Sequence, residues 1–127
     1  MSDGLVIFAH GSSIASANDA VQAVAGATAE ASGYRVRVGF LEPAHPTLDE
    51  AVSSLAGEGV TRVLVIPYFL TLGLHLQRDL PRIVERIARA HPGIEIRAAP
   101  PLDGHAALIE IVLDRAREAW RVWPRSR

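Results

Sequence analysis

The chemistry of this chain concentrates where apolar runs end. His10 directly follows the apolar run Leu5–Ala9 and is itself followed by Gly11-Ser12-Ser13. A histidine at a strand end, beside a glycine that permits an unusual backbone angle, suits a functional position. The competing reading is a ring hydrogen-bonded to a neighbouring carbonyl. The Gly-Ser-Ser stretch could also present several backbone N–H groups to an anion. Glu42 closes Phe40-Leu41-Glu42; taken alone it could equally cap a helix or pair with an arginine. His75 ends Tyr68-Phe69-Leu70-Thr71-Leu72-Gly73-Leu74-His75, a loop by position that is almost wholly apolar. Such a loop either folds over the core or walls a site for a large, flat, partly apolar ligand. Gly73 would give it mobility.

Composition narrows what these residues can do. The chain has no cysteine, which excludes disulfides, thiolate zinc sites, iron–sulfur clusters and cysteine nucleophiles. Any metal must therefore be held by imidazole or carboxylate. No G-x-G-x-x-G, P-loop lysine or G-x-S-x-G elbow is present, which argues against nucleotide binding and serine hydrolysis. A formal net charge of −1 creates no global field that calls for nucleic acid or an anionic membrane. The longest apolar stretches fall short of the roughly 20 residues that span a bilayer. Met1-Ser2-Asp3-Gly4 does not open a signal peptide, so the cytoplasm is the expected compartment.

The elements that must position these residues are four strand–helix units. Leu5–Ala9 is continuously apolar, as expected of a strand covered on both faces. A helix from about Ser16 to Ala31 follows, with Ala20, Val21, Val24, Ala25 and Thr28 on its inner side and Gly33 as its stop. Tyr34 to Leu41 reads as a second strand, and the alternating Arg35 and Arg37 suggest a sheet edge. Thr47 and Glu50 form a capping box for a helix that faces inward through Leu48, Ala51, Val52 and Leu55. Thr61–Pro67 is the strongest strand and is expected to be central. Leu80, Ile83, Val84 and Ile87 mark a third helix, capped by Asp79 with Pro81 in its first turn. Ile94–Ala98 is the fourth strand. The last helix is expected to bury Leu108, Ile109, Val112, Leu113 and Ala116.

Strands alternating with helices imply right-handed crossovers and a parallel sheet. The expected fold is a single three-layer α/β domain over residues 1–119, flavodoxin-like, with a four-stranded parallel sheet in strand order 2-1-3-4. Residues 120–127, with three arginines and a proline, read as a frayed tail. Such sheets bind ligands beyond the carboxyl ends of their strands, where strand order reverses. That point lies between the first and third strands and brings His10 and His75 to one rim, with Glu42 ending the second strand beside them. His45 and His105 lie on the same rim but are expected to cap or face solvent. His91, before Pro-Gly, is expected to be solvated. Arg78, Arg82, Arg86 and Arg89 form a solvated helix face, with Arg78 nearest the site.

Several segments together resemble the short-form sirohydrochlorin chelatases of the CbiX/SirB type. The matching pieces are His10-Gly11-Ser12, Phe40-Leu41-Glu42, Val65-Ile66-Pro67-Tyr68-Phe69-Leu70 and Gly73-Leu74-His75-Leu76-Gln77-Arg78-Asp79-Leu80-Pro81, with Ala99-Pro100-Pro101-Leu102 before the final helix. The likeness covers about residues 4 to 118. H-G-S is weak by itself; G-x-H-x-x-R-D-[IL]-P after an apolar strand is fairly specific. Gln77 stands where lysine or a similar group is commoner.

The resemblance implies insertion of a divalent metal, Co²⁺ favoured and Fe²⁺ or Ni²⁺ possible, into sirohydrochlorin, in cobalamin or sirohaem biosynthesis. It implies no permanently bound cofactor, since the metal is a substrate. It also implies a homodimer, with His10 and His75 binding the metal and His10 accepting a proton. Glu42 would join them in catalysis and, with Leu70, Thr71, Leu72, Gly73 and Leu74, contact the tetrapyrrole. Sirohydrochlorin's carboxylates would meet Gly11, Ser12, Ser13 and Arg78. The chemistry agrees, because neutral imidazole near pH 7 can both ligate a borderline cation and take a pyrrole proton. Two rivals stand beside this: a tetrapyrrole or metal carrier without turnover, and a metal-free acid–base enzyme using the same histidines.

Overall fold

Two central strands carry the fold because their side chains are apolar on both faces. Val6 and Phe8 point one way, and Ile7 and Ala9 the other, all four buried. The computed structural model describes residues 3–125. Its elements are β1 (Asp3–Ala9), α1 (Ala15–Ser32), β2 (Arg35–Phe40), α2 (Leu48–Gly57), β3 (Arg62–Pro67), α3 (Leu74–Ala90), β4 (Glu95–Ala98) and α4 (Ala107–Arg121). The sheet order is β2-β1-β3-β4, and every pairing is parallel. The expected topology is the observed one, with Thr61–Pro67 supplying a central strand. In register, Leu5 lies between Val36 and Leu64, and Ile7 between Val38 and Ile66.

Each face has its own core. Val6, Phe8, Val63, Val65 and Ile96 pack against Leu48, Val52, Leu55, Leu80 and Ile87 of α2 and α3. On the opposite face Ile7, Ala9, Val36, Val38 and Phe40 pack against α1 through Ala25, with Val21, Val24 and Ala29 beside it. Ala20, expected on that inner side, is exposed. Gly33 ends α1 in the left-handed conformation, φ 77°, with its N–H bonded to the Ala29 carbonyl. The α2 capping box forms as its spacing requires, with Glu50 N–H donating to the Thr47 hydroxyl and Thr47 N–H to the Glu50 carboxylate. Arg35 and Arg37 mark the β2 edge and both reach Glu58. Asp3 and Arg62 tie the starts of β1 and β3 through two hydrogen bonds of 2.8 Å. That pairing holds the Asp3 carboxyl below its ordinary range.

Two expectations need correction. Helix α3 starts at Leu74 with Gly73 as its N-cap, not at Asp79, and Pro81 lies inside it. Buried Leu80 and Ile87, with Leu76, Ile83 and Val84 against the same core, hold the helix through the backbone bond that proline cannot make. Helix α4 forms over the expected residues and continues to Arg121, but none of its residues is buried. Ile109, Val112 and Leu113 are exposed. Periodicity specifies a helix with an apolar stripe; it does not specify the surface that takes the stripe. Of the residues expected to fray, Ser126 and Arg127 lie outside the described residues.

Candidate functional site

Ladder bonds at the carboxyl ends of β1, β2 and β3 bring the site segments together. Leu41 N–H donates to the Ala9 carbonyl at 2.9 Å, and Tyr68 N–H to the Phe8 carbonyl at 2.8 Å. His10 therefore leaves the sheet between the Leu41-Glu42 segment and the Tyr68 segment. Its ring is exposed, with Nδ1 3.3 Å from the Gly11 carbonyl. This is the neighbouring-carbonyl contact, and it is compatible with function. A proton on Nδ1 aimed at that carbonyl leaves the Nε2 lone pair for a metal or a proton.

Gly11 is required by both conformation and space. Its φ is 82°, and a Cβ there would meet the Ala44 Cβ at 2.8 Å and the Phe40 Cβ at 3.4 Å. The loop after β1 is thus pressed onto the loop after β2. Gly39 serves a different approach, that of the start of α2 to β2, since a Cβ on it would lie 2.9 Å from the Leu48 Cα. Nothing in the hydrophobic pattern pointed to Gly39.

Asn18 is a further residue that sequence reasoning missed. Its Oδ1 accepts from Ser12 N–H at 3.0 Å, and its Nδ2 donates to the Ser12 carbonyl at 2.8 Å. The Ser12 hydroxyl accepts in turn from Ile14 N–H. Ser12 N–H is therefore engaged within the loop and is not offered to an anion, unlike the expectation for it. Its signal was an asparagine early in the first helix, where such residues favour local backbone bonds. Ser13 is exposed.

Glu42 is exposed at the end of the β2 segment, and no hydrogen bond or ion pair among the described residues engages it. It borders a small groove of about 40 Å³ with Asp49, Arg86 and Ile83, floored by Phe8 and Leu41. The apolar stretch after β3 divides into two parts. Tyr68 and Phe69 fold onto the core, Phe69 meeting Phe8 edge-to-face at 5.9 Å. Leu70 and Leu74 are 70% and 73% exposed, so that part forms an apolar wall. Gly73 has φ −66°, which any residue adopts, and nothing stands within 4 Å of a Cβ built on it.

His75 is not in the loop. It is the second residue of α3 and is exposed. The first turn that carries it is closed by Gln77 N–H on the Gly73 carbonyl, while the Gln77 side chain donates to the Leu72 carbonyl at 3.0 Å. Gln77 thus secures the entry to α3 on which His75 rides. Arg78 follows on the same helix and is exposed. Among the described residues no group of three or more His, Asp or Glu side chains is gathered as a closed metal site.

The other histidines have structural partners. His91, expected to be solvated, is only 19% exposed and lies 3.0 Å from Asp49 Oδ1 and 3.3 Å from Ser53 Oγ. It ties the end of α3 to α2. His45 Nδ1 is 2.7 Å from Glu50, and His105 Nδ1 accepts from Ala107 N–H at the start of α4. The backbone N–H of Thr47 and then His45 hold the Glu50 carboxyl below its ordinary range.

The CbiX family model matches residues 4–119. The chain belongs to the CbiX family. Among related CbiX proteins, a sirohydrochlorin cobaltochelatase of Methanosarcina barkeri is 32% identical over 91% of this chain and 95% of its own. A putative cobalamin biosynthesis CbiX protein from Marinobacter aquaeolei superposes with a TM-score of 0.83 at 33% identity, covering 94% and 98% of the two chains. The sirohydrochlorin chelatase SirB from Bacillus subtilis, solved with cobalt, shares the fold at TM-score 0.83 and 24% identity. It matches 93% of this chain but only 51% of its own. No helix among the described residues of this CbiX protein is long and apolar enough to cross a membrane.

Proposed function

We propose that this chain inserts a divalent metal ion into sirohydrochlorin as a homodimer, with Co²⁺ the favoured metal and Fe²⁺ or Ni²⁺ alternatives. The reaction serves cobalamin or sirohaem biosynthesis. The observation that carries this reading is the rim itself: exposed His10, Glu42 and His75 follow β1, β2 and β3, which are neighbours in the sheet. The family and its cobaltochelatase relative support it.

Insertion exchanges one M²⁺ for two pyrrole N–H protons. His10 and His75 ligate the ion through imidazole nitrogen, which suits borderline cations. Two protein ligands with the remaining positions open hold the ion loosely enough to surrender it, where a closed four-ligand site would retain it. His10 then accepts a pyrrole proton through Nε2, and Glu42, one ladder position away, takes or relays the second. Exposed Leu70 and Leu74 lie against the macrocycle face. Ser13 and Arg78 meet its carboxylates, while Ser12 holds the loop. The chain spans half of the two-fold longer Bacillus chain, which favours a second copy completing the cleft.

The test is the initial rate of the visible absorbance change on mixing protein, sirohydrochlorin and Co²⁺, against the uncatalysed rate. Acceleration by catalytic amounts of protein is expected. Stoichiometric binding without acceleration would replace the enzyme with a carrier. Turnover of a small substrate that survives chelators would replace it with a metal-free acid–base enzyme.

A further inference from the structure

Helix α3 joins the two ends of the candidate site. His75 opens its first turn, and Arg86, about three turns further on, lines the small groove that Glu42 borders. At about 100° per residue, Arg82 and Arg86 fall within about 20° of the His75 direction, one to each side. Arg78 is about 60° round from it. One flank of the helix, roughly 16 Å from His75 to Arg86, thus carries the imidazole and both arginines. The core-facing side is taken by Leu80, Ile83 and Ile87.

The charges on this flank are unspent. Of the four arginines of α3, only Arg89 forms an ion pair among the described residues, with Glu85. Arg82 and Arg86 are exposed, and no carboxylate among the described residues engages either. Arg86 shares its groove with two acids, Glu42 and Asp49. Asp49 is already held by His91, whose Nε2 lies 3.0 Å away, and no ion pair joins Arg86 to Glu42. Asp79 is the one acid on the flank itself, so arginine outweighs carboxylate along it.

Sirohydrochlorin carries acetate and propionate arms around its ring, so it reaches the rim as a polyanion. The chain's net charge of −1 supplies no long-range attraction, and Glu42 at the rim repels it. A site for such a substrate needs local cations. Guanidinium is the cation whose planar fork matches a carboxylate with two parallel hydrogen bonds.

We propose that Arg82 and Arg86 are specificity-determining residues, each taking a peripheral carboxylate of a tetrapyrrole that lies along the His75 flank of α3. The Arg86 bond offsets the repulsion between Glu42 and the incoming ring, and so lets an ionised proton acceptor stand beside a polyanion. Rings without carboxylates at those positions lose both bonds and bind less well. The inference deepens the sirohydrochlorin reading above and rests on it.

The test is a titration of metal-free sirohydrochlorin by its absorbance, which needs no turnover. Arg82→Ala and Arg86→Ala are each expected to raise Kd about 10-fold. KM should rise with it while kcat changes little, the mark of a bond made equally before and during the reaction. Arg86→Lys should recover only part of the loss, since a point charge lacks the fork. The preference for sirohydrochlorin over deuteroporphyrin, a dicarboxylate ring, should shrink in both alanine variants. Arg89→Ala removes the same charge from the same helix and should leave Kd near that of the wild type. All these side chains are exposed, so urea unfolding should match the wild type. An unchanged Kd in Arg82→Ala and Arg86→Ala, or an equal rise in Arg89→Ala, would overturn the assignment. A fall in kcat with Kd unchanged would also overturn it, by placing Arg86 on Glu42 and not on the substrate. A wild type that does not bind metal-free sirohydrochlorin sinks the functional reading as well.

Discussion

The Leu41 N–H donates to the Ala9 carbonyl at 2.9 Å, so the backbones of His10 and Glu42 leave the same edge of the sheet, each one residue beyond the bonded pair. A strand register alone thus brings a carboxylate and an imidazole to one edge, while the β1–β3 pairing delivers the chain toward His75. The candidate site is positioned by backbone geometry, and His10, Glu42 and His75 are exposed on it. Changes to those side chains should therefore separate activity from stability.

His75→Ala is expected to lower cobalt insertion by about 100-fold or more and to alter unfolding free energy by no more than about 0.5 kcal/mol. The ring is exposed in the first turn of α3, and alanine is a good helix former there. The paired measurements are initial insertion rates and urea unfolding. Wild-type rates in this variant would remove His75 from the mechanism.

Gly11→Ala and Gly33→Ala form a controlled pair. Both glycines have positive φ, 82° and 77°, but only at Gly11 does a Cβ strike another atom, the Ala44 Cβ at 2.8 Å. Gly33→Ala is expected to cost about 1 kcal/mol from conformation alone. Gly11→Ala should cost about 1–3 kcal/mol and lower insertion activity, because it separates the loops that carry His10 and Glu42. Equal losses of stability would refute the role of the Gly11–Ala44 contact.

Asn18→Asp keeps the acceptor for Ser12 N–H and turns the donor to the Ser12 carbonyl into a second acceptor. The expected result is a raised KM for sirohydrochlorin with global stability changed by about 1 kcal/mol. Asn18→Ala, which removes both bonds, should raise KM further. A KM unaffected by either variant would make the Asn18–Ser12 bracket irrelevant to binding.

The α2 cap predicts a pH dependence. The Glu50 carboxyl is held below its ordinary range by Thr47 N–H and then His45. A carboxyl with a depressed folded value stabilises the protein above its unfolded value, and that contribution is lost as pH falls through the folded one. Glu50→Gln should therefore destabilise at about pH 7 and approach wild-type stability toward about pH 3. Thr47→Ala should cost about 1 kcal/mol. Parallel wild-type and Glu50→Gln stabilities across that range in urea titrations would contradict the assignment.

The sequence by itself determined the element order, the parallel sheet and its strand order, because continuous apolar runs and helical stripes have few ways to bury themselves together. It also placed His10 and Glu42 at the carboxyl rim, since polar residues that end apolar strands must emerge there. Three matters were decided only in three dimensions. The start of α3 moved upstream of Asp79 because packing through Leu76 and Leu80 extends the helix across the proline, and this moved His75 from loop to helix. Gly11 owes its role to a close approach between segments distant in sequence, its loop meeting Ala44, whereas Gly39 and Asn18 act where the chain folds back on itself at Leu48 and Ser12. The exposure of α4 belongs to the same class: an apolar stripe declares that it needs a surface, and only the arrangement of all the elements reveals that the chain's own sheet leaves it unused.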